Sequence, residues 1–186
     1  MQWRNDSRGY AAPAVALHWA TLVLLVAVYA TIQLSEVYAK GSAPRAALEA
    51  WHYTLGLSVL AVTALRLALA SLDRAPAIVP APPRWQRAAA RAAHVALYVL
   101  LVVMPIVGWM LLSARGKPIP WFDLQLPALI AQSRSMGRTL KEIHEAIATA
   151  GYFLVGLHAA AALFHHYVVR DNTLQRMLPR RDRSAA

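Results

Sequence analysis

Seven histidines are the residues best placed to do chemistry: His18, His52, His94, His144, His158, His165 and His166. All seven fall in, or at the ends of, long apolar stretches. An imidazole in hydrocarbon is costly without a partner, so seven of them in such a setting point to a metal, a proton path or a cofactor. His144 and His158 are 14 residues apart, close to four helical turns, so on one helix they share a face and stand roughly 21 Å apart along its axis. The chain has no cysteine, which excludes a thiolate zinc site, an iron–sulfur cluster and covalently attached haem.

Four apolar helices must position these side chains. Of 186 residues, 58% are hydrophobic and only 15% charged, with a net charge of +10. Soluble domains carry about 25% charged residues, so this balance reads as a membrane protein. A soluble nucleic-acid binder would also be basic, but its Lys and Arg would interleave with the apolar residues, so no nucleic-acid partner is expected. Runs of about 20 residues without a charge match the hydrocarbon thickness. They occur at 11–34, 92–114 and 146–169, and an equally apolar stretch at 51–72 carries one charge, Arg66. The first run is too long for a secretory signal, and Pro13, His18 and Trp19 interrupt it, so it is expected to be a retained helix. Thr139-Leu-Lys-Glu142 has the form of a capping box and predicts that the fourth helix starts at 139. The expected fold is all-α, a transmembrane four-helix bundle forming a single domain over 1–186, with spans at about 11–34, 51–72, 92–114 and 139–169.

Counting Lys and Arg in the flanking segments sets the orientation. The N-terminus, the 73–91 loop and the tail together hold eleven: Arg4, Arg8, Arg74, Arg84, Arg87, Arg91, Arg170, Arg176, Arg180, Arg181 and Arg183. The opposite side holds seven: Lys40, Arg45, Arg115, Lys117, Arg134, Arg138 and Lys141. Both termini are therefore expected in the cytoplasm. The 73–91 loop, with Pro76, Pro80, Pro82 and Pro83, reads as a stiff extended connector, and Trp121-Phe122 in the 115–138 loop suits a membrane interface.

With that orientation the histidines match in depth as two pairs, His18 with His158 on the inner side and His52 with His144 on the outer side. Two imidazole pairs stacked in a four-helix bundle are how a membrane protein holds two b-type haems, each iron taking one imidazole from each face. Zinc would want further ligands, and none is evident. Interhelical hydrogen bonding is the other reading of the same four residues. Arg66, 14 residues after His52, shares its face at inner depth, where it either pairs with a haem propionate or snorkels to the headgroups. Gly56, Gly108, Gly151 and Gly156 give room for a neighbouring helix or a porphyrin. His165 lies on nearly the face of His158 and so beside the inner pair, His166 reads as an interfacial anchor, and His94 has no assigned partner.

The segment Gly151-Tyr-Phe-Leu-Val-Gly-Leu-His158-Ala-Ala-Ala-Ala-Leu-Phe-His165-His166-Tyr, with Asp171-Asn-Thr-Leu and Met177-Leu-Pro-Arg after it, resembles the bacterial cytochrome b561 family. So do Leu17-His18-Trp19, the Trp51-His52 helix, and Arg115-Gly-Lys-Pro with Trp121-Phe122. The resemblance covers nearly the whole chain. It implies a four-helix protein of the bacterial inner membrane with two non-covalent b haems, whose axial ligands fall on His18, His52, His144 and His158.

The resemblance is nearest to members that oxidise superoxide outside and reduce ubiquinone, with no protein partner required; the alternative is a cytochrome b subunit linking a partner dehydrogenase or hydrogenase to the quinone pool. Under the first reading, Arg115, Lys117 and Lys141 are the candidate cations that attract superoxide, and Arg74 with His165 is the candidate quinone end.

Overall fold

The computed structural model describes residues 4–6 and 9–179. Arg8, Arg180, Arg181 and Arg183, counted above for orientation, lie outside the described residues. Four long helices carry the fold: α1 (Ala12–Ser35), α2 (Ala43–Leu72), α3 (Arg84–Ala114) and α4 (Arg134–Phe164). Each is long and apolar enough to cross a membrane, and only 6 to 17% of its most apolar window is buried within the chain. Val23, Val26, Val99, Phe153 and Leu157 are exposed. In water that much apolar surface would be untenable; in lipid it is the solvent-facing side, and the arrangement is an all-α transmembrane bundle.

The helix starts follow from local chemistry. Prolines fall in the first turns of α1 and α2, where a missing N–H leaves no bond unmade. Pro83 caps α3, so the connector is shorter than the proline run predicts: it spans 73–83, and 84–91 are already helical. The capping box at Thr139 is not what starts α4. Ser133 is the N-cap, its hydroxyl accepting from the Met136 N–H at 3.3 Å, and Thr139 lies inside the helix. Both motifs satisfy free N–H groups in the same way, and the earlier one also ties the helix start to α3, because Ser133 N–H donates to the Ala114 carbonyl. Beyond Phe164 the chain makes a π turn, His165–Val169, and leaves it through Arg170 in the left-handed region at φ 60°.

Consecutive helices pack side by side, α1 on α2, α2 on α3 and α3 on α4. α1 and α4 are linked instead by side chains: the Tyr29 hydroxyl donates to the Ala148 carbonyl at 3.0 Å, and the Tyr29 and Tyr152 rings lie 4.2 Å apart.

The two ends are closed differently. Away from the termini, the 115–133 loop folds back as a short antiparallel hairpin of β1 (Pro120–Trp121) and β2 (Leu124–Gln125). Ile119 joins Leu57 and Leu112 in a small core, with Trp109 and Trp121 packed against it. Trp121 is therefore not a free interface anchor; its Nε1 donates to the Ser58 hydroxyl at 3.2 Å, while Phe122 is exposed. At the termini face, the Asn5 amide donates to Asp73 and Trp19 Nε1 donates to the Met177 carbonyl at 2.7 Å. Asn172 accepts from the Val79 N–H and gives its own N–H to the Val79 carbonyl.

Candidate functional site

Two pairs of imidazole rings face each other inside the bundle. Toward the termini, His18 of α1 and His158 of α4 have ring centres 6.3 Å apart. Toward the opposite face, His52 of α2 and His144 of α4 have ring centres 6.2 Å apart. Iron bound linearly by two imidazole nitrogens at about 2 Å, with each nitrogen about 1.1 Å from its ring centre, sets those centres roughly 6.2 Å apart. Both pairs have that spacing.

The second coordination requirement is the tautomer. A ligating imidazole must keep one nitrogen unprotonated, and it does so when the other donates elsewhere. His52 Nδ1 lies 2.9 Å from the Val28 carbonyl oxygen. A carbonyl only accepts, so Nδ1 carries the proton and Nε2 is left with its lone pair. His144 Nδ1 is buried without a partner, and its ring passes the α-carbon of Gly108 so closely that a Cβ there would meet Cε1 at 3.2 Å. Gly108 therefore has a packing role. At Gly151 a Cβ would come within 2.7 Å of the Tyr29 hydroxyl, whereas at Gly56 and Gly156 it would meet no protein atom within 4 Å.

Arg66 turns inward. Its Nη1 donates to the Thr21 hydroxyl at 3.1 Å, its Nη2 is 3.3 Å from His18 Nδ1, and its guanidinium lies 5.5 Å from the centre of the Tyr98 ring. With those contacts the side chain is directed into the bundle. His94 of α3 also enters this end, its ring centre 5.5 Å from that of His158. This is closer than the spacing an intervening iron requires.

Comparison with known proteins gives the geometry its setting. The sequence model of prokaryotic cytochrome b561 matches residues 9–180. The chain belongs to the prokaryotic cytochrome b561 family. It is 37% identical over 167 residues to cytochrome b561 homolog 1 of Escherichia coli (strain K12), covering 90% of this chain and 95% of that protein. It is 34% identical over 176 residues to the probable superoxide oxidase CybB of Yersinia pestis, covering 92% and 97%. Cytochrome b561 homolog 2 of Escherichia coli (strain K12) is 30% identical over 185 residues, covering 96% and 95%. As a b561-family cytochrome the chain is a multi-pass bacterial membrane protein of electron transport, and the family's group is a b-type haem. The facing imidazoles, the His52 tautomer and the clearance at Gly108 fit such a group.

The remaining residues singled out in this cytochrome separate into two ends. Lys117 lines one pocket with Lys40, Gly41, Ser42, Arg45 and Glu49. Glu49 pairs with Arg45 at 3.0 Å and with Lys117 at 3.6 Å, and the Tyr53 hydroxyl also donates to it at 3.3 Å. Arg115 and Lys141 do not line this pocket; Lys141 pairs with Glu145 on the exposed side of α4. Arg45 and Glu49 were not singled out as site residues from the sequence although the spacing Arg45–Glu49–Tyr53 along α2 carried a signal, whereas Lys40, in the loop before α2, carried none.

At the termini end, His165 Nδ1 is 2.6 Å from the fully buried Asp171 carboxylate, which also accepts from the Thr173 N–H at 2.8 Å. Burial pushes the Asp171 carboxyl up, but the hydrogen bonds from His165 and Thr173 outweigh it and hold the group below the usual carboxylate range. Arg74 is exposed on the connector, and among the described residues no contact joins it to His165. His166 packs its ring on Tyr167, with centres 4.8 Å apart.

Proposed function

We propose that this cytochrome carries electrons between two b haems, oxidising superoxide at the face opposite the termini and reducing ubiquinone at the termini face. In this reading His18 and His158 would hold the inner haem and His52 and His144 the outer haem. The protein sits in the bacterial inner membrane with both termini cytoplasmic. The observation that carries the reading is the spacing of the two ring pairs, 6.3 and 6.2 Å, on helices that place them at two depths. The likeness to a probable superoxide oxidase supports the choice of donor.

Bound there, a b haem supplies reversible one-electron chemistry at its iron. The chain's own residues do the rest. Val28 holds His52 in the ligating tautomer, and α4 holds His144 and His158 on one face. Lys40, Arg45 and Lys117 present positive charge at the N-terminal end of the helix that carries His52, where an anion such as superoxide is drawn in. Each quinone reduced to quinol takes two electrons and two protons, so two superoxide ions each give one electron and leave as dioxygen. On the quinone side, Asp171 holds His165 through Nδ1 and leaves Nε2 as the nitrogen that can exchange a proton, and Phe164 and Tyr167 beside it are exposed to the lipid from which quinone arrives.

The test is to purify the chain alone, place it in vesicles with ubiquinone, and supply superoxide anaerobically. The expected result is reduction of both haems followed by quinol formation. Haems that superoxide leaves oxidised, together with a co-purifying metalloenzyme, would instead make the chain a subunit of that enzyme.

A further inference from the structure

Arg176 is the only buried arginine among the described residues, at 8% exposure, and it comes from the segment after α4 that the sequence marks only as part of a positive tail. Its Nη1 donates to the Pro76 carbonyl, and its guanidinium lies 5.7 Å from the centre of the Tyr10 ring. Among the described residues its Nε is buried with no hydrogen-bond partner. The tail is pinned at the level of the inner pair: the Tyr10 N–H donates to the Arg176 carbonyl, and the next residue, Met177, accepts from Trp19, the neighbour of His18. Across the site, His94 stands against His158, their ring centres 5.5 Å apart.

Two guanidiniums therefore stand at this end of the bundle, Arg66 of α2 against His18 and Arg176 in the tail segment pinned beside Trp19. Among the described residues neither is paired with a carboxylate. The nearest acid in sequence, Asp171, is already engaged by His165 and Thr173. A guanidinium remains protonated, and removing it from water without a counter-charge is expensive. Each b haem carries two propionate carboxylates, which match the two arginines in number, sign and fork geometry.

We infer that Arg66 and Arg176 are the counter-ions of the two propionates of the inner haem, so that the C-terminal segment forms one wall of its cradle. The inference rests on the two-haem reading. It gives the buried guanidinium of Arg176 a counter-charge and explains why the tail folds back to meet α1 rather than ending with the helix.

The experiment is a redox titration of the purified holoprotein, wild type against Arg176→Gln and Arg176→Lys, followed in the haem absorbance bands. Removing a cation beside a propionate leaves its negative charge uncompensated, so reduction becomes harder. Arg176→Gln is expected to lower the midpoint of one haem and leave the other in place, and Arg176→Lys to sit between the two proteins. A wild-type measurement needs no variant: reconstitution with haem dimethyl ester, whose propionates are neutral, is expected to speed loss of the inner haem about tenfold or more. Unchanged midpoints with only a lower unfolding temperature would reduce Arg176 to a structural tie. Unchanged midpoints with loss of a bound phospholipid would make a lipid phosphate its partner. Either overturns the inference, whereas a wild-type chain that holds fewer than two haems overturns the reading beneath it.

Discussion

The His52 ring is fixed from the neighbouring helix: its Nδ1 lies 2.9 Å from the carbonyl oxygen of Val28 on α1. That contact joins the two helices that are most closely packed and decides which nitrogen faces the bundle interior, before any iron is bound. The His18 Nδ1 has Arg66 as its neighbour instead, and a guanidinium only donates. Nε2 of His18 becomes free to ligate when Arg66 turns to another acceptor, which is the role a propionate would play.

Replacing His52 or His144 with Ala is expected to halve the haem content, from two per chain to one, as measured by pyridine haemochrome against protein concentration. The pairs are separated by roughly 21 Å along α4, so the inner pair keeps its spacing when the outer one is lost. The remaining haem is expected to stay reducible by dithionite but not by superoxide. Loss of both haems together would show that the two sites do not form independently.

Asp171 predicts a pH dependence of stability. Its carboxyl is held below the usual range, so its ionised form contributes stability at all pH values above the ordinary carboxylate pKa. That contribution is lost as the pH falls through the lower, folded value. Thermal unfolding of the detergent-solubilised protein is therefore expected to show Asp171→Asn less stable by about 1 to 3 kcal/mol at neutral pH. The two proteins should converge as the solution is acidified. Curves that stay parallel down to strongly acid pH would rule out the linkage.

How much of this the sequence made legible depends on the range over which the physics acts. The four helices follow from hydropathy, and the pairing of His52 with His144 from the depth each histidine takes along its own span, both read from single segments. Arg176 reads as one more tail charge because its burial depends on Tyr10 and Pro76, at the far ends of two other segments. Asp171 is equally silent: it meets His165 only because the chain makes a π turn and then a left-handed residue at Arg170. At α4 the error came from choosing between two equivalent caps, and contact of Ser133 with the end of α3 decided it.

Gly151 should tolerate no side chain while Tyr29 keeps its hydroxyl. A Cβ at 151 would lie 2.7 Å from that hydroxyl and 3.3 Å from Leu100, and the hydroxyl is held in place by the Ala148 carbonyl. Gly151→Ala is expected to cost about 1 to 3 kcal/mol. Adding Tyr29→Phe removes the clashing atom, so the double variant should be more stable than the sum of the two single changes predicts. Strict additivity in thermal unfolding would mean that the close approach relaxes elsewhere.

The cationic pocket predicts how the rate of electron delivery depends on salt. Lys40, Arg45 and Lys117 line one pocket with a single acid, Glu49, so the pocket carries excess positive charge that attracts an anion from bulk solution. Screening shortens that reach to about 8 Å at physiological ionic strength, so the effect is largest at low salt. Lys117→Gln is expected to slow haem reduction by superoxide by about two- to tenfold at low ionic strength and to flatten the salt dependence. Lys141 is paired with Glu145 outside the pocket, and the same change there should have a smaller effect. The two variants, compared with wild type by rapid-mixing absorbance at several salt concentrations, separate attraction by this pocket from a general effect of net charge, since each removes one positive charge. Equal slowing by both would locate the attraction in the whole face and not in the pocket.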